Sequence, residues 1–198
     1  MLRVALFGTS ADPPTRGHLA ILCWLSQYFD QVAVWASDNP FKSHQTALDH
    51  RTEMLRLLIS DLDSFRHNIQ VYPELSNSRT VITVEQAQER WQGAEFTLVV
   101  GSDLVGQLPK WFRARDLLDR VKLLVVPRPG YLIADKELDP LRQMGADVTI
   151  ADLNAPNVSS TAYREQGETE GVTSPIQAYI DREQLYKCHA RREKLPTY

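Results

Sequence analysis

Cysteine is nearly absent from this sequence. Cys23 and Cys188 are the whole complement, which excludes a disulfide framework and a thiolate zinc site. Cys23 falls inside a helical pattern and is expected as a small core or near-core thiol. No apolar run approaches the roughly 20 residues of a membrane span, so no membrane partner is expected. Six residues precede the first turn, against roughly 15 to 30 for a secretory leader, so the expected setting is a reducing cytoplasm. An excess of positive charge is missing too: 22 Lys and Arg against 25 Asp and Glu leave a net −3. Nucleic acid is therefore not an expected partner, because that surface needs a concentrated basic excess. His44, His50, His67 and His189 show no metal-ligand spacing, and no residue is expected to hold a metal. Neither G-x-G-x-x-G nor G-x-x-x-x-G-K-[ST] occurs.

What is there is an ordinary globular composition, 43% apolar and 24% charged over 198 residues, enough for one domain with a substantial core. Leu2, Val4, Leu6 and Phe7 read as a first strand, and Leu19, Leu22, Leu25 and Phe29 then recur at helical spacing. Residues 31–36 predict a second strand. Leu55, Leu58, Ile59 and Leu62 mark a second helix face. A short strand over 68–72 and a helix over 80–91 follow. Phe96 to Val100 is a continuous apolar run stopped by Gly101, the pattern of a central parallel strand. A fifth strand is expected over 121–126, then a helix over 135–145, a short strand over 147–150 and a closing helix over 175–189. Trp91, Tyr179 and Tyr186 are expected in the core. The alternation predicts an α/β fold, a Rossmann-like doubly wound parallel sheet of five or six strands with helices on both faces. Ligands of such sheets bind beyond the carboxyl ends of the strands, where the strand order reverses.

The unusual residues sit in those very segments. After the first strand comes Phe7-Gly8-Thr9-Ser10-Ala11-Asp12-Pro13-Pro14-Thr15-Arg16-Gly17-His18, a loop of small residues opening a helix. Unpaired backbone N–H groups and the positive end of the helix dipole converge there, which suits a phosphate.

Thr15-Arg16-Gly17-His18 resembles the (H/T)-x-G-H signature of the nucleotidyltransferase superfamily. The resemblance narrows to the nicotinate-nucleotide adenylyltransferases through further blocks in order. Gly8 to His18 is similar to their G-G-T-F-D-P-x-H-x-G-H, Asn39-Pro40-Phe41-Lys42 loosely to P-P-H-[KR], and Ser78-Arg79-Thr80-Val81-Ile82-Thr83 to S-Y-T-x-x-T. Gly101-Ser102-Asp103 with Pro109-Lys110-Trp111 looks like G-x-D and P-x-W. Arg128-Pro129-Gly130-Tyr131 matches R-P-G-Y, and Val158-Ser159-Ser160-Thr161-Ala162-Tyr163-Arg164 matches I-S-S-T-x-x-R. Pro175 to Ile180 is the counterpart of a closing P-x-x-V-x-x-Y-I. Thr9 stands where the family has a glycine, Ala11 where it has an aromatic residue, and Thr15 where it has its first histidine.

The resemblance implies one nucleotidyltransferase domain over 1–198, with 155–198 a C-terminal helical part. It implies adenylyl transfer from ATP to nicotinate mononucleotide, giving deamido-NAD and pyrophosphate, with Mg2+ accompanying ATP; a homo-oligomer is allowed. Alternatives are transfer to nicotinamide mononucleotide or phosphopantetheine, or a non-catalytic nucleotide-binding domain that kept the fold. His18 and Arg164 are the expected catalytic residues, as phosphate donors. Gly8, Thr9, Ser10, Thr15, Gly17, Gly101, Asp103, Ser159, Ser160 and Thr161 are expected around ATP. Lys42 is expected on the mononucleotide phosphate, Asp103 on ribose hydroxyls, and Trp111 against the pyridine ring. The backbone N–H groups of Trp111 and Phe112 are expected to bind the nicotinate carboxylate, with Thr80 and Arg128 completing the pocket.

Overall fold

A computed structural model of the chain describes residues 1–38, 45–60, 62, 67–128, 133 and 135–186. The loop carrying Lys42, the segment Pro129-Gly130-Tyr131, and His44, Cys188 and His189 lie outside the described residues. Six parallel strands form one sheet in the order β3-β2-β1-β4-β5-β6. They are β1 (Arg3–Thr9), β2 (Gln31–Ala36), β3 (Ile69–Val71), β4 (Glu95–Gly101), β5 (Lys122–Val126) and β6 (Val148–Ile150). The helices are α1 (Arg16–Tyr28), α2 (Leu48–Ser60), α3 (Thr80–Arg90), α4 (Ala114–Arg120), α5 (Asp135–Gln143), α6 (Ser160–Gln166) and α7 (Ser174–Glu183).

Successive side chains of a strand leave the sheet on opposite faces, and β1 feeds two cores accordingly. Val4 and Leu6 pack with Val81, Val84 and Ala87 of α3, Leu117 and Leu118 of α4, and Leu138 and Leu141 of α5. Ala5 and Phe7 pack with Leu22 and Leu25 of α1, Met54, Leu55 and Leu58 of α2, and Ile176 and Ile180 of α7. This is the doubly wound architecture expected from the alternation of strands and helices.

Four local expectations differ. Leu2 precedes β1 and is 43% exposed. Cys23 is exposed, because the inward stripe of α1 runs through Leu22, Leu25 and Ser26 and the residue after Leu22 is turned about 100° away. Leu62 lies past the end of α2. The closing helix stops at Glu183, where Gln184 takes a left-handed conformation at φ 57° and caps it. Tyr186 therefore belongs to no helix, and its hydroxyl has other work.

Candidate active site

β1 pairs with β2 as far as Thr9↔Ala36, and β4 with β5 as far as Gly101↔Val126. Between themselves, β1 and β4 pair only to Leu6↔Leu98. The last residues of the two central strands thus part, and a crevice opens where the strand order reverses, the position that such sheets use for ligands.

His18 stands beside this crevice in the first turn of α1. Its Nδ1 accepts the backbone N–H of Thr15 at 3.1 Å, the reach-back that a glutamate makes in a capping box. The Thr15 hydroxyl lies 3.0 Å from the same nitrogen. Since a backbone amide can only donate, Nδ1 carries no proton, and the ring hydrogen of the neutral imidazole is on Nε2. Nε2 lies 3.0 Å from Thr9 Oγ1 at the end of β1, and so donates to it. Burial, and secondarily the nearby Arg128 guanidinium, bring the His18 pKa down from 6.5 to about 4. At neutral pH the ring is an uncharged donor aimed at the crevice. Thr15 is 1% exposed and turns its N–H and hydroxyl to His18, where the sequence suggested a hydroxyl for phosphate.

The distant Ser159-Ser160-Thr161 segment meets the same loop. Ser159 caps α6 by accepting the Ala162 N–H at 3.0 Å, and Ser160 Oγ donates to the Pro13 carbonyl at 2.7 Å. Arg164 donates to the Asp12 carbonyl, and its other terminal nitrogen is 3.4 Å from Thr161 Oγ1. Gly17 faces Val158 of this segment: a Cβ there would meet Val158 Cγ2 at 3.6 Å and the Val158 carbonyl at 3.7 Å, ordinary contact distances. Gly8 serves packing: a Cβ would fall 2.6 Å from two carbons of the buried Trp35 ring.

Beneath the loop lies a polar cluster that sequence reasoning missed. Arg51 of α2, 3% exposed, donates through Nε to the Thr46 carbonyl at 2.8 Å and through one terminal nitrogen to the Ser10 and Ser37 carbonyls, both at 2.9 Å. It ties together the segments after β1 and β2. Burial pulls its pKa down, while Asp12, Asp38 and Tyr186 pull it back up. The Asp12 side chain, also 3% exposed, accepts from Tyr186 Oη at 2.5 Å and the Thr46 N–H at 3.3 Å. Burial, then the bond to Asp12, raises the Tyr186 pKa. The signal available was Arg51 itself, a charge on the inward stripe of α2 beside Met54, Leu55 and Leu58.

Across the crevice, Gly101 gives room to an ion pair. A Cβ would sit 2.5 Å from Asp103 Oδ1, and that oxygen is 3.1 Å from Arg128 Nε. Oδ1 is buried and accepts no hydrogen bond among the described residues, so the Arg128 guanidinium is the charge that offsets it there. The Arg128 N–H donates to Ser102 Oγ at 3.0 Å. Farther out, Trp111 packs half-buried against the core, Phe112 is 48% exposed, and Thr80 begins α3 half-buried. The Trp111 N–H already donates to the Leu108 carbonyl at 3.0 Å, so of the two amides expected for a carboxylate only that of Phe112 meets no acceptor among the described residues. Among those residues no group of three or more His, Cys, Asp or Glu could hold a metal ion, and no helix is long and apolar enough to cross a membrane.

Comparison with known proteins agrees with this geometry. The cytidylyltransferase-like family model matches residues 6–166. A Synechocystis protein described as a probable nicotinate-nucleotide adenylyltransferase is 42% identical over 94% of this chain and 100% of its own. The nicotinate-nucleotide adenylyltransferase of Bacillus subtilis is 26% identical over the same shares. Among solved structures, the Plasmodium falciparum nicotinic acid mononucleotide adenylyltransferase complexed with NaAD superposes with a TM-score of 0.81 at 17% identity, over 94% of this chain and 98% of that one. With its parted central strands and its histidine beside them, the chain belongs to the nicotinate-nucleotide adenylyltransferase family.

Proposed function

We propose that the chain transfers the adenylyl group of ATP to nicotinate mononucleotide. A phosphate oxygen of the mononucleotide bonds to the α-phosphorus of ATP, the bond from that phosphorus to the bridging oxygen breaks, and pyrophosphate leaves with the electron pair. This in-line exchange asks for position and charge neutralisation, and for no protein nucleophile.

One observation carries the reading: the helix bearing Arg164 docks on the loop that orients His18, through Ser160 on the Pro13 carbonyl and Arg164 on the Asp12 carbonyl. Imidazole and guanidinium are thereby brought to one loop from opposite ends of the chain. His18 donates an Nε2–H hydrogen bond to the Thr9 hydroxyl, which is thereby left to point its own hydrogen at a phosphate oxygen of the triphosphate. Thr15 fixes the His18 tautomer. Ser10, Gly8 and Gly17 shape the loop, and Ser159 and Thr161 hold α6 and Arg164 in place. Asp103 accepts from ribose hydroxyls, and Arg128 supports the field. Lys42 receives the mononucleotide phosphate, Trp111 offers its face to the pyridine ring, and Thr80 and Phe112 border it.

Enzymes that use ATP in this way generally need a divalent metal. The donor set fits Mg2+ carried in on the triphosphate: both Asp12 oxygens take hydrogen bonds and Asp103 is paired with Arg128, which leaves no carboxylate cage among the described residues. When bound, Mg2+ neutralises charge on the triphosphate.

The test is pyrophosphate release from ATP and Mg2+ with nicotinate mononucleotide, its amide and phosphopantetheine offered separately. Release is expected with the acid. His18→Ala should lower kcat by about 100-fold or more, the cost of removing one preorganised donor, with the fold kept by circular dichroism. ATP binding without release for any acceptor would overturn the proposal in favour of a non-catalytic nucleotide-binding domain.

A further inference from the structure

Outside the phosphate loop, Arg79 is a cation stacked on an aromatic ring rather than paired with a carboxylate among the described residues. The guanidinium carbon of Arg79 lies 4.3 Å from the centroid of the Phe112 ring. Arg79 is exposed and immediately precedes α3; its backbone N–H is held by Asn77 Oδ1 at 2.9 Å. Two nearby arginines are neutralised, Arg113 by Glu85 and Asp116 and Arg120 by the same two carboxylates, while Lys110 and Arg115 show no carboxylate pair among the described residues. Among the described residues no carboxylate pairs with Arg79.

Its surroundings select a ligand. Phe112 contributes a large exposed apolar face and an amide N–H with no acceptor among the described residues, while the adjacent Trp111 amide is closed off by Leu108. Both segments, 102–113 after β4 and 73–80 after β3, lie at the carboxyl edge of the sheet. A ring, a planar cation stacked on it and one open amide suit a flat aromatic bearing a carboxylate. One amide is a weak receiver for a full negative charge, and a guanidinium supplies the missing charge and a second donor. A carboxamide gains much less there, because it carries no charge and its NH2 would face another donor.

We propose that Arg79 is a specificity-determining residue that selects the acid form of the pyridine ring over the amide by pairing with its carboxylate. This rests on the adenylyltransferase reading and goes beyond it, since fold and phosphate loop leave the choice of acid or amide open.

The experiment measures kcat/KM for nicotinate mononucleotide and for nicotinamide mononucleotide in the wild type, Arg79→Ala, Arg79→Lys and Phe112→Leu, with calorimetric binding of each mononucleotide. Arg79→Ala should cut the acid-over-amide ratio by about tenfold or more, the worth of one charge-assisted pair, through a raised KM for the acid. Arg79→Lys should recover part of the ratio, keeping charge and losing the planar fork, and Phe112→Leu should lower it by releasing the stack. Equal loss with both substrates in Arg79→Ala, or an unchanged ratio, overturns the proposal while leaving the function intact. A wild type that turns over neither mononucleotide overturns the function instead. Calorimetry then decides on Arg79: tighter binding of the acid, lost in Arg79→Ala, supports its role, and equal affinity for both forms refutes it.

Discussion

His18 should stay neutral well below the pH at which histidines ordinarily gain a proton. Two features impose this. Nδ1 already accepts the Thr15 N–H, so a proton there would set two donors face to face. Burial, then Arg128, disfavour the cation. A fall from 6.5 to about 4 is worth about 3 kcal/mol of preference for the neutral ring. In the unfolded chain the same ring takes its proton near 6.5. Between the two values the unfolded state therefore holds more protons, and stability falls as pH falls. The contribution is whole above 6.5 and lost by about pH 4. Urea unfolding of the wild type and His18→Gln from pH 7.5 to 4.5 isolates it from the carboxylates that titrate in both. The wild type should lose about 2 to 3 kcal/mol more than the variant across that range. Nitrogen-15 chemical shifts of the ring should report the Nε2–H tautomer and a midpoint near 4. A midpoint near 6.5, or parallel loss of stability in the two proteins, would refute the reasoning. The corollary for catalysis is that His18 contributes no slope to the pH–rate profile between 6 and 8.

Thr9→Val keeps the shape but removes the acceptor of His18 Nε2–H and the hydroxyl beyond it, and should lower kcat/KM by about 10- to 100-fold; Thr9→Gly lets the imidazole reach a phosphate oxygen itself and should retain activity in the pyrophosphate assay. If both lose equally, Thr9 relays nothing. Gly8→Ala drives a methyl into the Trp35 ring and should cost about 1–3 kcal/mol, read as a lowered Tm in thermal unfolding. Tyr186→Phe strips Asp12 of a buried donor and should cost about 1–3 kcal/mol, with a raised KM for ATP as the loop loosens.

Much of this was legible in the sequence, and the rest was hidden for physical reasons. Periodicity found the strands because a doubly covered parallel sheet needs runs such as Phe96 to Val100, and the T-x-G-H block lies between β1 and α1 as its spacing suggested. Side-chain direction was not legible. Nothing in the spacing says that Thr15 turns its donors back to His18, or that Ser160 points to a carbonyl 147 residues away. Arg51 and Tyr186 escaped because their partners are backbone carbonyls and a carboxylate on remote segments, contacts made only once β1, β2 and the chain after α7 are assembled. Tyr186 in particular was read as core through helical periodicity, and Gln184 ends that helix two residues earlier.

A chain of net charge −3 must still attract two polyanions, and the way its arginines are satisfied explains how. Where an arginine meets a carboxylate its charge is cancelled, as for Arg113 and Arg120 with Glu85 and Asp116. Where it meets a carbonyl, its donors are satisfied and the charge survives, because a carbonyl brings only a dipole. Arg51 binds three carbonyls and Arg164 binds that of Asp12. Both hold the loop under the crevice. The Asp12 carboxylate offsets part of that charge, and its own oxygens are turned to Tyr186 and Thr46. His18 adds no charge there: burial, and secondarily Arg128, keep its ring neutral, so its N–H adds direction alone. Arg51 and Arg164 thus keep positive charge on the loop under the crevice where β1 and β4 part, and a local cation of that kind attracts a phosphate whatever the net charge of the chain.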